Sequence, residues 1–352
     1  MGDPPIGITA GDPAGVGPEI TLKALRELSG RHGESIRAVV YGSRKALRRA
    51  EQRFKFGAEI VESRGGETWP RVAIASVPEP ESLPEMGTVT AAGGAVAYDG
   101  IAAAVLDAMA NRISAIVTAP ISKEAINLAG HLYSGHTEML ADLSGSSGTC
   151  MMLAHGNLRV SHVSTHAPLA SVPKLLTPAR LRRVTALTYE MLLRLGIERP
   201  RIAVAALNPH AGEGGLFGAE DREVIAPIVG ALVEEGLDVS GPIPGDTIFV
   251  RALAGEFDAV IAMYHDQGHI PVKLLGFRVD PASGRWLGLS GVNVTLGLPF
   301  VRTSVDHGTA FDIAGRGTAS AQSMKEAIEF ALDLVDSRNS RDFSRRPPNE
   351  TL

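Results

Sequence analysis

The chain has little of what several common classes of protein require. Its 352 residues include one cysteine, Cys150, which excludes a disulfide framework and a cysteine-rich zinc site. This cysteine lies in the apolar run TCMMLA, which predicts an inert, buried thiol. The formal net charge of −5 provides no basic surface for nucleic acid. No Gly-Lys pair occurs, so the sequence has no Walker A phosphate loop.

Signals for targeting and for a membrane are missing as well. No apolar run reaches the length of a membrane span. The first residues, MGDPPIGITAG, lack a basic region followed by an apolar stretch, which argues against a signal peptide. We therefore predict a cytoplasmic protein without a membrane or nucleic-acid partner. The 44% hydrophobic and 21% charged content is that of an ordinary globular protein.

Strand-like segments alternate with helix-like segments along the chain, which predicts an α/β fold with a mostly parallel sheet and helices on both faces. The first strand runs into a turn that carries Gly11, Gly15 and Gly17. A G-x-G-x-x-G dinucleotide fingerprint would need glycine at position 20, which is Ile20. The turn is either a tight strand-to-helix connection or a nest of backbone N–H groups facing a cleft, and Asp12 favours the second interpretation.

Three strand-like segments each lead to a histidine: LRVSHVSTH to His166, RIAVAALNPH to His210 and AVIAMYH to His265. Open α/β sheets bind ligands outside the carboxyl ends of their strands. Three imidazoles with an open position suit a catalytic divalent ion. A single histidine is more often structural, so both interpretations stay open. Asp246 and Asp266 lie beside these segments, where a carboxylate commonly fixes the tautomer of a ligating histidine.

Groups suited to an anionic substrate occur on the same stretches. A His-Thr pair stands at a predicted helix start, where exposed N–H groups bind phosphate or carboxylate; a capping box without a ligand is the alternative. Two cations follow, and each alone would more often be a surface charge. Together the His-Thr pair, the two cations and Asn293 predict a cleft for a small phosphorylated or carboxylated molecule. The set is His136, Thr137, Lys273, Asn293 and Arg302.

The glycine-rich loop AGEGGLFG is a second candidate phosphate site. It directly precedes the predicted helix AEDREVIAPIVGALVEEG, and the N-terminus of a helix favours a pyrophosphate. The candidate cofactor-binding residues are Gly212, Gly214, Gly215 and Gly218.

Six long segments resemble the 4-hydroxythreonine-4-phosphate dehydrogenase family of pyridoxal phosphate biosynthesis, in order from residue 6 to about residue 332. They are GDPAGVGPEI, YSGHTEML, ALNPHAGEGGLFG, GPIPGDTIF, AMYHDQGHIPVK and GVNVTLGLPFVRTSVDHGTAFDIAGRG. The resemblance implies NAD-dependent oxidation of a secondary alcohol on a small phosphorylated hydroxy acid. It also implies decarboxylation of the resulting 3-oxo acid, and a divalent ion such as Zn²⁺, Mg²⁺ or Co²⁺.

The resemblance also implies roles for particular residues. His166, His210 and His265 would hold the metal. His136, Thr137, Lys273, Asn293 and Arg302 would hold the substrate, while Asp246 and Asp266 support the site. The general base would be Lys273 or a water held by an aspartate.

The fold implied by the resemblance has two α/β/α lobes around a cleft, as in isocitrate and isopropylmalate dehydrogenases, and no Rossmann domain. Residues 1–125 and about 300–340 would form the first lobe. Residues of about 126–299 would form the second lobe, with most metal and NAD contacts, and 341–352 would be a disordered tail. The family is homodimeric, with an active site at the subunit interface and metal ligands from both subunits.

Two departures from the vitamin B6 enzymes bear on the substrate. The segment FRVDPASGRWLGLSG, predicted to be irregular, is longer than the usual link, and His269 replaces the usual leucine. Both features resemble a sister branch that oxidises D-threonate or D-erythronate 4-phosphate. Alternatives are a metal-dependent phosphatase or lyase on a phosphorylated sugar acid, a dehydrogenase of an aromatic dihydrodiol, and a non-catalytic phospho-sugar binding protein.

Overall fold

The computed structural model describes residues 4–29, 36–282 and 286–340, so the predicted tail 341–352 lies outside the described residues. The strands are β1 Ile6–Thr9, β2 Ala38–Gly42, β3 Glu59–Glu62, β4 Arg71–Ser76, β5 Ala115–Thr118, β6 Cys150–His155, β7 Leu158–His162, β8 Arg201–Ala205, β9 Asp238–Ile243, β10 Ala259–Ala262, β11 Phe277–Val279, β12 Trp286–Leu289, β13 Val292–Leu296 and β14 Val301–Val305. The α-helices are α1 Gly17–Ser29, α2 Arg44–Phe54, α3 Ala91–Met109, α4 Lys123–Leu128, α5 His136–Ser144, α6 Val172–Leu175, α7 Pro178–Arg194, α8 Ala226–Glu234, α9 Gly245–Leu253, α10 His265–Gly276 and α11 Gln322–Ser340.

One sheet of 12 strands runs through the described chain, in the order β3-β4-β2-β1-β5-β14-β13-β6-β7-β10-β8-β9. Neighbouring strands are parallel except at β14–β13, β13–β6 and β6–β7. The predicted α/β class with a mostly parallel sheet is confirmed, and the strand order is not the 3-2-1-4-5-6 order of a Rossmann domain. The division into lobes near residues 125 and 300 stays a prediction, because the sheet is continuous there.

Helices cover both faces of the sheet. On one face α1, α2, α7, α8 and α11 pack on a single large apolar cluster. On the other face α3, α4 and α5 cover the first half of the sheet, and α9 and α10 cover the second half. Polar side chains of β5, β13 and β14 point outward between these two groups of helices. The architecture therefore leaves an open strip of sheet between α5 and α10.

Helix α3 is long and apolar enough, by length and composition alone, to cross a membrane, and it is the one such helix among the described residues. It packs on β1, β2 and β5, with Val96, Ile101 and Val105 buried. A buried core helix of a soluble fold has this composition. We therefore assign α3 to the core.

The segment predicted to be irregular, residues 277–291, contains an antiparallel hairpin instead. Strands β11 and β12 pair beyond the end of α10, with Phe277 opposite Leu289. The alternation of large apolar and small or charged residues in these short strands was too brief to stand out in the sequence.

The glycine-rich turn after β1 is buried rather than open. Residues 10–17 are all buried, and Asp12 is 1% exposed. Its Oδ1 accepts a hydrogen bond from the Ala14 amide at 2.9 Å, while no described residue is a partner for Oδ2. Burial raises the pKa of the Asp12 carboxyl to about 6, and the bond from Ala14 opposes this shift. The geometry fits the tight-turn interpretation.

Asp12→Asn should make stability less dependent on pH. A folded-state pKa above the unfolded value contributes stability that is present below about pH 4 and is lost as the pH rises through about 6. At pH 8 the buried carboxylate costs on the order of 2–3 kcal/mol, which the amide avoids. Urea unfolding at pH 4 to 8 checks this, with the exposed Glu81→Gln as control. An Asp12→Asn variant with the slope of the wild type would contradict it.

Candidate functional site

The open strip of sheet forms a cleft of about 300 Å³, named here the main cleft. It lies between the start of α5 and the inner side of α10. All five residues predicted to bind an anionic substrate line it: His136, Thr137, Lys273, Asn293 and Arg302. His166 also lines it. Residues that are up to 166 positions apart in the sequence thus lie in one cleft, as the sequence predicted for a ligand cleft.

Arg302 is the fixed cation of the main cleft. It lies on β14 and is 1% exposed. Its Nη1 donates to Thr295 Oγ1 at 2.9 Å, and its Nη2 donates to Thr118 Oγ1 at 2.7 Å. Burial lowers the pKa of the guanidinium to about 9, which leaves it charged at neutral pH. Its Nε has no partner among the described residues, so the buried cation retains donor capacity for an anion.

The start of α5 provides a second element for anion binding. The helix begins at His136 after Gly135, and no side chain caps its first amides. Such a helix start attracts phosphate or carboxylate. Burial and the nearby charges of Arg302 and Lys123 lower the pKa of His136 well below its ordinary value, so the ring is neutral. Its Nε2 is buried without a partner among the described residues.

Carboxylates balance part of this positive charge. Glu138 Oε1 lies 3.8 Å from Nδ1 of His166, and this contact with His166 lowers the pKa of Glu138. On the opposite wall, Lys273 Nζ lies 3.9 Å from Asp306 Oδ1. Burial raises the pKa of Asp306 to about 6, against the opposing effects of Lys273 and His265. The Lys273 ammonium therefore has a neighbour that can exchange a proton near neutral pH.

His265 stands at the first position of α10, directly after β10. Its Nδ1 lies 2.6 Å from Asp266 Oδ1, so a neutral ring keeps its lone pair on Nε2. Gln267 fixes this helix start, because its Oε1 accepts from the Met263 amide at 2.6 Å and its Nε2 donates to Ala206 O at 2.7 Å. A carboxylate on Nδ1 and a free lone pair on Nε2 are features that metal-ligating histidines commonly have.

A second pocket, about 570 Å³ and named here the side pocket, lies on the other side of α10. His210, Asp246 and Asp266 line it. His210 has a positive φ of 53°, within a turn that Asp221 holds by accepting from the Leu207 and Asn208 amides at 2.8 and 3.1 Å. Holding a non-glycine residue in this region requires such support. His210 is therefore presented on the surface, away from the main cleft.

The three predicted metal ligands do not meet within one chain. Strands β7, β10 and β8 are parallel neighbours, but His166 and His210 lie four and five residues beyond their strand ends. The rings of His166 and His265 are 6.1 Å apart, and His210 faces the side pocket. Among the described residues no group of three or more His, Cys, Asp or Glu side chains could hold a metal ion.

The glycine-rich loop is not part of either pocket. None of Gly212, Gly214, Gly215 and Gly218 lines the main cleft or the side pocket. Asn208, before the loop, donates to Asp221, after it, at 3.0 Å. A π-helical turn, Asp221–Ile225, begins three residues after Gly218 and continues into α8, so a helix does start directly after the loop.

Several residues of the main cleft were not predicted. Sequence patterns assigned no role in the cleft to His269, which lines it, and left His162 as a structural or surface residue. His162 ends β7, and its ring lies 4.7 Å from that of His269. Gly268 makes this possible, since a Cβ there would lie 2.3 Å from His162 Nε2. Asp306 follows the buried strand β14. A carboxylate directly after a strand-like segment was the signal available for it.

The chain is similar to known proteins over most of its length. Residues 34–331 match the family model of the pyridoxal phosphate biosynthetic protein PdxA. A Bradyrhizobium diazoefficiens protein provisionally named D-threonate 4-phosphate dehydrogenase is 56% identical over 332 residues, which are 94% of this chain and 96% of that protein. The 4-hydroxythreonine-4-phosphate dehydrogenase of Geobacter metallireducens is 46% identical over 344 residues, 96% of this chain and 97% of that enzyme.

A solved structure gives the same result. The crystal structure of the 4-hydroxythreonine-4-phosphate dehydrogenase from Klebsiella pneumoniae has a TM-score of 0.79 and 41% identity, with coverage of 95% of this chain and 100% of that chain. The family model, the sequence relatives and the shared fold all span most of the chain. The chain therefore belongs to the family of the pyridoxal phosphate biosynthetic protein PdxA.

Proposed function

We propose that the chain is a dehydrogenase that oxidises a 4-phosphorylated hydroxy acid, with D-threonate 4-phosphate or D-erythronate 4-phosphate as substrate. The observation that carries this proposal is the layout of the main cleft. A buried cation, an open helix start and an imidazole that suits a metal, His166, line this one cleft. A short acid that carries both a phosphate and hydroxyl groups matches this set of side chains.

The names of the relatives support the same substrate class. The relative at 56% identity carries the D-threonate name, and the relative at 46% identity carries the 4-hydroxythreonine name. Both names describe a dehydrogenase of a four-carbon, 4-phosphorylated hydroxy acid. The name of the relative at 56% identity, which is provisional, favours the D-threonate type of substrate for this chain.

Each residue of the cleft has its own proposed role in binding or catalysis. Arg302, His136 and Thr137 bind the phosphate. Lys273, after its own proton has passed to Asp306 3.9 Å away, takes the proton of the hydroxyl that is oxidised. The donor set of His166, His210 and His265 fits a divalent ion, which when bound acidifies that hydroxyl as a Lewis acid, while NAD⁺ accepts the hydride.

The product of this oxidation is a 3-oxo acid. The carboxylate at C1 then leaves as CO₂, because its bonding electrons pass toward the carbonyl at C3. Protonation of C2 completes the reaction. For D-threonate 4-phosphate the remaining three-carbon product is dihydroxyacetone phosphate.

A second copy of the chain would complete the site. Ile270 and Leu274 on α10 are 57% and 76% exposed, and Val250 on α9 is 68% exposed. Ile270 and Leu274 line the side pocket that presents His210. A partner packed on this face would be a homodimer and would bring its own His210 toward this chain's main cleft. Asp246 would support that histidine, as Asp266 supports His265.

We further propose that the loop with Gly212, Gly214, Gly215 and Gly218 contacts NAD from such a shared interface. Its positive-φ glycines and exposed backbone suit a phosphate. The cytoplasm is the compartment we expect, since NAD⁺ and phosphorylated sugar acids are cytoplasmic metabolites and the buried Cys150 forms no disulfide.

A substrate panel tests the proposal. The purified protein, loaded with Zn²⁺, Mg²⁺ or Co²⁺, is given NAD⁺ with D-threonate, D-erythronate or 4-hydroxy-L-threonine 4-phosphate, and absorbance at 340 nm reports NADH. We expect the fastest NADH formation with D-threonate or D-erythronate 4-phosphate and none with the unphosphorylated acids. Release of inorganic phosphate without NADH would instead identify a phosphatase.

A further inference from the structure

Gln267 lies between two strands at the point where they separate. Strands β8 and β10 are parallel neighbours, and their last paired residues are Val204 and Ile261. The chain after β8 continues to α8 on one face of the sheet, and the chain after β10 begins α10 on the other face. Connections to opposite faces leave a crevice between two strand ends, which is where open α/β sheets bind ligands. Here the side chain of Gln267 occupies the crevice.

The amide of Gln267 replaces a backbone peptide of the ladder between these two strands. Its Oε1 accepts from the Met263 amide at 2.6 Å, and its Nε2 donates to the Ala206 carbonyl oxygen at 2.7 Å. Both of these residues lie two positions beyond the last pair on their own strand. One side chain thus bonds to both diverging chains, as a peptide unit of a longer ladder would.

Strand β10 has no such bridge on its other side. There the Val163 amide donates to the Ala262 carbonyl oxygen at 2.8 Å, and the Ser164 amide donates to that of Met263 at 3.2 Å. The backbone contact between β7 and β10 therefore continues past both strand ends. The replacement of backbone by a side chain belongs to the side of β10 that faces β8.

Each end of the Gln267 bridge holds a segment that leads to a predicted metal ligand. Met263 stands two residues before His265, and Ala206 stands four residues before His210. His265 begins α10, while His210 lines the side pocket, as Gln267 does. A change in the separation of the two strand ends would therefore move one histidine relative to the other.

We propose that Gln267 is a positioning residue that fixes His265 and His210 relative to each other, and that the two ends of its amide act on different metal sites of a dimer. The second part rests on the proposed function, in which His265 serves the main cleft of its own chain and His210 serves that of the partner. The bond to Oε1 then positions the ligand that a chain keeps. The bond from Nε2 positions the ligand that it supplies to its partner.

Two substitutions separate the two ends of the amide. Gln267→Leu removes both bonds. Gln267→Glu keeps an acceptor for the Met263 amide but replaces the donor with a carboxylate oxygen, which at pH 8 cannot bond the Ala206 carbonyl oxygen. Gln322→Leu is the matched control, because Gln322 lies on α11, donates to Glu326 and lines neither pocket.

Hydrogen exchange of the whole chain at pH 8, without added metal, measures each end directly. We expect Gln267→Leu to speed exchange in residues 263–266 and 206–210 by about 5-fold or more. Gln267→Glu should speed it in 206–210 alone, and Gln322→Leu in neither segment. Because Gln267→Glu keeps one bond, it decides the outcome even if Gln267→Leu does not fold. Exchange in 206–210 at the wild-type rate would overturn the inference and leave Gln267 a residue that fixes its own helix start.

Mixed dimers assign the two ends of the amide to the two sites. A chain with His210→Ala is combined with a chain with Lys273→Ala, so the intact site is the main cleft of the first chain with His210 of the second. Gln267→Glu placed in the second chain should lower NADH formation by about 10-fold, and much less when placed in the first chain. Equal losses in the two placements would overturn the assignment to different sites. An inactive parent mixture would refute the shared site of the proposed function, and the exchange result would still decide the first part.

Discussion

Replacing His210 with alanine should abolish substrate oxidation and bound metal together. In the proposed site this histidine supplies one of three imidazoles, and a divalent ion contributes several kcal/mol to stabilising charge on the reacting oxygen. We expect kcat/KM to fall by at least about 10³-fold and metal content, measured by plasma emission spectroscopy, to fall with it. His131→Ala is the control, because His131 stacks on Tyr98 at 3.5 Å and lines neither pocket. Full activity in His210→Ala with the metal lost would remove the role of all three histidines.

The same variant shows whether the site is shared between two chains. His210→Ala and Lys273→Ala proteins, each inactive alone, are co-expressed with different tags. If His210 serves the main cleft of the other subunit, half of the dimers are mixed and each has one intact site, which restores about a quarter of the wild-type activity. If His210 serves its own chain, every site carries a lesion and the mixture stays inactive.

Arg302→Met should remove most of the discrimination in favour of phosphorylated substrates. The guanidinium is buried, and its unpaired Nε and its fork of donors are what a phosphate would meet in the main cleft. Charge-assisted hydrogen bonds of about 1.5–3 kcal/mol each predict a loss of roughly 10²–10⁴-fold in kcat/KM. Steady-state NADH formation measures it.

A second variant and a second substrate show whether the loss of activity is specific to the Arg302 guanidinium and to the phosphate. Arg302→Lys keeps the charge but loses the bonds to Thr118 and Thr295 that the fork makes, so its activity should lie between those of the wild type and Arg302→Met. The unphosphorylated acid should be used equally poorly by all three proteins. A Met variant whose activity on the phosphorylated substrate is unchanged would show that Arg302 is a structural cation only.

Much of the fold could be predicted because its signals are local. Alternating strand and helix patterns predicted the α/β class and a mostly parallel sheet. The reversal of strand direction between β14 and β13 could not be predicted in this way. The pattern of residues along one strand does not show which other strand that strand will pair with.

The candidate site, like the fold, could be predicted from the sequence only in part. Composition identified the cations and histidines, because ionisable residues beside apolar strands are visible in the sequence. It did not show that Arg302 is buried on the face of the sheet, or that His210 faces away from His166 and His265. Those facts depend on contacts between elements far apart in the chain. For the metal ligands, the missing contacts are proposed to lie in a second chain.

A product balance tests the proposed reaction most directly. The metal-loaded wild type is incubated with a limiting amount of D-threonate 4-phosphate and excess NAD⁺, and NADH, CO₂, dihydroxyacetone phosphate and inorganic phosphate are quantified at completion. The account predicts one NADH, one CO₂ and one dihydroxyacetone phosphate for each substrate molecule consumed, with no inorganic phosphate. Phosphate release, or substrate consumption without NADH, would contradict it.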